Sequence, residues 1–120
     1  MKVNINHLYF IISIMDEQQK NIDVLERIVY SLEYHLREYS KFKSESKHNT
    51  RQKERTRALD NMFTHAMAIK NELTNSLIYP IIQDGSPYYI QFEDFTRFVE
   101  SDVREYIEKI KSYLEDLKNK

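Results

Sequence analysis

Leu8, Met15, Ile22, Val29 and Leu36 stand seven residues apart, and Ile11, Leu25, Leu32 and Tyr39 fill the companion positions three residues further on. Gln18 alone interrupts the second row. Apolar residues at nine of ten seam positions through five heptads require one long amphipathic helix with other helices along its side. Ile14, Ile28 and Phe42 widen that seam, which suits a helix packed on two partners at once. With Asn4 or Asn6 as its cap, the first helix is expected over about residues 5–43.

Punctuation places the remaining elements. No Pro or Gly occurs before Pro80, and the chain has one Gly and two Pro in 120 residues. So few turn formers disfavour a many-stranded fold. A second helix is expected over 50–79, with Asn49 and Gln52 spaced as a capping box. Its apolar stripe reads Leu59, Met62, Phe63, Ala66, Ile69, Leu73 and Leu77. Pro80 and the Asp84-Gly85-Ser86-Pro87 run then stop it. A third helix is expected over 93–118, lined by Phe95, Val99, Val103, Tyr106, Ile107, Ile110, Leu114 and Leu117. Tyr88-Tyr89-Ile90 reads either as a short extended piece in the connection or as a first helical turn, which Ser86-Pro87 would suit as cap and first position.

The expected fold class is therefore all-α: one helical-bundle domain over 1–120, elongated and running up-down-up. A first helix of that length would reach about 57 Å, whereas a compact globule of this chain length is roughly 35 Å across. The helix outruns the ball, so the bundle must be elongated, and a second copy is the candidate that would complete it. In this topology the start of helix one, the end of helix two and the 80–92 connection share one apolar pole. Tyr79, Tyr88, Tyr89 and Phe92 are the candidate apolar partner surface there, because tyrosine buries a ring while keeping a polar tip. The opposite pole carries the first connection, with Lys118 and Lys120 arriving beside it.

Charge separates the two ends. The whole chain is 31% charged yet has a net charge of only −1, so it is neither a DNA-mimicking polyanion nor a coating polycation. Locally, Lys41, Lys43, Lys47, Arg51, Lys53, Arg55 and Arg57 face only Glu45 and Glu54, a net of +5. Residues 93–116 hold eight Asp/Glu against four Lys/Arg. The basic stretch is the candidate contact for an anionic partner, either an acidic protein surface or nucleic-acid phosphates. Its plain structural reading is a solvated helix end.

Chemistry is sparse. His7, His35, His48 and His65 include no pair at the four-residue spacing that shares a helical face. Glu45 and His48 make half of a bundle di-iron motif, without the second copy and the inward carboxylates that such a site needs. Cys is absent, which excludes disulfides and thiolate sites and fits a reducing compartment. No phosphate-cradling glycine loop or nucleophile elbow occurs. No cofactor, metal or enzymatic activity is expected. The apolar run Leu8–Met15 is too short to span a bilayer, and Asp16 and Glu17 follow it in place of a cleavage site, so the location expected is cytoplasmic, with no membrane partner.

The function these readings favour is a non-enzymatic helical protein–protein interaction module, such as a small regulator, inhibitor or assembly adaptor. It would dock a larger protein and could self-associate. The richness in Lys, Asn, Ile and Tyr suggests an AT-rich phage or mobile-element source. The alternative is a nucleic-acid-binding accessory protein using the basic 41–57 connection.

Overall fold

The computed structural model describes residues 5–74, 78, 81–82 and 98–119, with side chains described from residue 16 onward. The described residues hold three helices: α1 (Ile5–His48), α2 (Gln52–Leu73) and α3 (Glu100–Lys118). Among the described residues there is no strand. At 1.5 Å per residue α1 reaches about 66 Å, and the molecule measures 77 × 24 × 21 Å. Its radius of gyration, 19.4 Å, exceeds the roughly 14 Å of a compact chain of equal length. The expected long unbroken helix and elongated shape are both present.

The α1 seam is the spine of the core. Ile22, Leu25, Ile28, Val29, Leu32 and Leu36 are buried, and one apolar cluster joins them to Ile69 and Leu73 of α2, to Ile78 and Ile82, and to five residues of α3. Those five are Val103, Ile107, Ile110, Leu114 and Leu117, all expected from the sequence. The seam positions Leu8, Ile11 and Met15 lie where side chains are not described. Both α2 and α3 pack on α1, while no Cα of α2 comes within 8 Å of one in α3. Ile78 and Ile82 complete the shared core, and the Tyr113 hydroxyl donates to the Ile81 carbonyl at 3.0 Å, tying that turn to α3.

The direction of α3 overturns the up-down-up course. Lys43 meets Glu100, Lys111 meets Glu33 and Lys118 meets Glu26, each at 2.7 Å. As the α3 number rises the α1 number falls, so α3 runs antiparallel to α1. Ser46 lies by Met62 and His35 by His65, which makes α2 antiparallel to α1 as well. The two flanking helices thus share one sense, and the order is up-down-down. Lys118 arrives at Glu26, remote from the basic connection it was expected to join; Lys120 lies outside the described residues. The reason is electrostatic and local: the acidic first turn of α3 (Glu100, Asp102) lies at the basic end of α1, through Glu100 and Lys43.

Boundaries moved too. α1 continues to His48, five residues past its expected end. The Asn49/Gln52 capping box does not form: Arg51 is the N-cap of α2, with extended backbone and no side-chain cap. Asn49 instead accepts the Arg51 N–H on its own Oδ1 at 3.0 Å, a turn two residues long. At the other junction Phe98 and Val99 are non-helical, so α3 starts at Glu100 and Val99 becomes its N-cap in place of a stripe member. α2 is helical to Leu73, short of the expected 79.

Candidate functional site

The basic connection is a real turn, but its seven cations have different work. Lys43 donates to Glu100, and Arg55 turns inward to donate from Nη1 to the Asn49 and Thr50 carbonyls at 3.1 and 3.4 Å. Those two hold α3 and the turn. Lys41 and Arg57 lie 4.0 Å from Glu38 and Glu54, at the edge of ion pairing. Lys47, Arg51 and Lys53 are exposed and carry no ion pair among the described residues. The site available to an anion is thus mainly three cations, extended by Lys41 and Arg57. A shallow cleft on this side of α2 is lined by Gln52, Lys53, Thr56, Arg57 and Asp60.

Hydrogen bonding explains the perturbed groups at the α1–α3 contact. The Lys43 ammonium, by donating to Glu100, holds that carboxyl below the ordinary range against the opposing effect of burial. Reciprocally, that bond and the Glu100 charge raise Lys43. Ser40 and Arg104 also reach Glu100, each at 3.4 Å. Glu100 is thus a fastener between helices.

The described residues present an exposed apolar row that the sequence did not single out. Tyr79, Tyr88, Tyr89 and Phe92 lie outside the described residues. On α2, Leu59 is 54% exposed, Phe63 68% and Met67 38%, although the first two were expected in the core stripe. The buried face is Ala58, Ile69 and Leu73, with Met62 and His65 half-buried between them. Apolar residues cover more than half of α2's circumference, so periodicity alone could not select the face. α1 selects it, because His65 lies against His35 and Phe42. Leu59, Phe63 and Met67, four residues apart, are left as one solvent-facing row. On α1, Tyr30 and Tyr34 are 72% and 42% exposed.

Sequence reasoning missed one cluster entirely. His35 and His65, thirty residues apart, face each other Nδ1 to Nδ1 at 2.9 Å between α1 and α2. Tyr34 stands edge-on to both rings, and Phe42 stacks on His65 at 5.7 Å and 12°. The usable signal was each residue's place on an α1- or α2-facing stripe, but pairing them needed the register of the hairpin. Among the described residues no group of three or more His, Cys, Asp or Glu, Glu45 and His48 included, could hold a metal ion. No described helix is long and apolar enough to cross a membrane.

Comparison with known families finds no family model that matches this chain, and comparison with curated proteins and solved structures finds no match either.

Proposed function

We propose that this chain is a non-enzymatic helical interaction module that docks a larger protein through the outer row of α2. The observation that carries the reading is Phe63, a large aromatic 68% exposed on a well-formed helix, with Leu59 and Met67 one turn to either side. Such a row matches the anchor spacing by which an amphipathic helix engages a neighbouring helix. Lys53 and Arg57 stand at its N-terminal end, so the partner helix that fits best has an apolar seam with an acidic margin. A regulator, inhibitor or assembly adaptor acting in the cytoplasm is the role that suits such a surface, and a second copy is the competing occupant.

A photo-crosslinking amino acid at position 63, with position 30 as the comparison site, tests this in the source cells. The expected outcome is one discrete adduct from position 63 whose mass exceeds that of two copies of this chain. An adduct of two copies would replace the partner by self-association, and no adduct would overturn the docking surface. A second reading rests on Lys47, Arg51 and Lys53, whose free charges at the α1–α2 turn also suit nucleic-acid phosphates.

A further inference from the structure

The His35–His65 contact is built in a way that depends on proton count. The ring centroids are 5.1 Å apart and the nitrogens 2.9 Å. The difference is about two ring radii, so the nitrogens point at each other along one line. That is the arrangement of an N–H···N hydrogen bond, in which one imidazole donates and the other accepts. It differs from a chelate, where both lone pairs would converge on a third point.

We propose that this pair is a pH-sensitive latch between α1 and α2, closed while the two imidazoles together carry no more than one extra proton and opened when both are protonated. With no extra proton, one N–H donates to one lone pair. With one, the imidazolium donates to its neutral neighbour, and the bond becomes charge-assisted. With two, both nitrogens are donors, no acceptor remains, and like charges face each other in a half-buried contact.

The surroundings favour few protons. Burial, and then the neighbouring His65, lower the His35 pKa below the ordinary histidine value, while the Glu72 carboxylate on α2 works in the opposite direction. From α1, Tyr34 stands edge-on to both rings; the nearest charges described on that helix, Glu38 and Lys41, lie 4.0 Å from each other, and the Lys41 ammonium lies 5.2 Å from the Phe42 ring that stacks on His65. The α3 charges that meet this stretch of α1, Glu100 and Lys111, are engaged with Lys43 and Glu33 instead. A histidine whose folded pKa is lowered stabilises the fold above its unfolded value, about 6.5, and that stability is lost as pH falls through the window below it.

The test is an NMR titration of the imidazole nitrogens in the intact chain from pH 8 to 4.5, paired with urea unfolding across the same range. Two coupled steps are expected, the second proton entering at least tenfold less readily than the first. The urea midpoint should fall as the second step proceeds. His65→Gln, which keeps a neutral hydrogen-bonding group, should flatten that fall, and Glu72→Gln should move it to lower pH. Independent titrations of His35 and His65, each in one step unaffected by the other, would overturn the latch, and this wild-type measurement decides the matter even if a variant fails to fold. So would a pH profile of stability that His65→Gln leaves unchanged.

Discussion

Gln18 breaks the apolar seam of α1 and donates from Nε2 to the Leu117 carbonyl at 2.6 Å. The last four carbonyls of a helix lack intrahelical donors, so the one polar residue in the seam lies where α3 ends and satisfies one of them. Gln18→Leu would regularise the heptad yet leave that carbonyl without this donor. The expected outcome is no gain, and Gln18→Ala should cost about 1 kcal/mol, both read by urea unfolding. Glu100 offers a pH test of the α1–α3 contact. Its pKa is lowered, so its contribution is present above the ordinary carboxylate value and is lost as pH falls through the folded value. The difference in urea midpoint between the wild type and Glu100→Gln should hold steady from pH 8 to 6 and shrink below about pH 4.3. A difference that stays constant into acid would show that the ion pair contributes nothing.

At the scale of elements, α2 shows how weakly its own sequence fixes its buried face. Ile69 and Leu73 are fully buried where Leu59 and Phe63 are not. Ile69→Ala or Leu73→Ala should therefore cost about 2–5 kcal/mol through lost burial and a residual cavity. Leu59→Ser and Phe63→Ser should stay within about 0.5 kcal/mol, as surface substitutions do. Equal costs on both faces would return α2 to the register read from its stripe. The basic turn carries a prediction of its own, because Lys43 and Arg55 are engaged internally. If the chain binds duplex DNA, the slope of log affinity against log salt should lie between about −3 and −5, short of the roughly −6 that seven free cations would give. A gel-shift series in salt measures it.

The whole molecule is an open assembly, with a spine longer than either companion and two flanking helices of the same sense. Because the chain has no Cys, engineered pairs report this topology cleanly. Glu26→Cys with Lys118→Cys should join rapidly through a short bis-maleimide, since their native side chains meet at 2.7 Å. Lys47→Cys with Lys118→Cys should not, because an up-down-up bundle would have brought those two together. The reverse result would restore the expected course. Exposed ion pairs contribute little to stability individually, yet three at 2.7 Å along one contact fix the direction in which α3 lies.

The sequence by itself determined that the described segments are helical, that the first helix is long and unbroken, and that the α1 seam from Ile22 to Leu36 and the α3 stripe from Val103 to Leu117 enter the core. Those properties follow from the spacing of apolar residues within a single segment, which the 3.6-residue turn converts directly into a face. Only the tertiary structure decided the sense of α3, the face of α2 and the meeting of His35 with His65. Each depends on contacts between residues on different helices, and either helix sense could have buried the same α3 stripe. The choice then falls to particular pairs, Lys43 with Glu100 and His35 with His65, whose partnership no local pattern encodes.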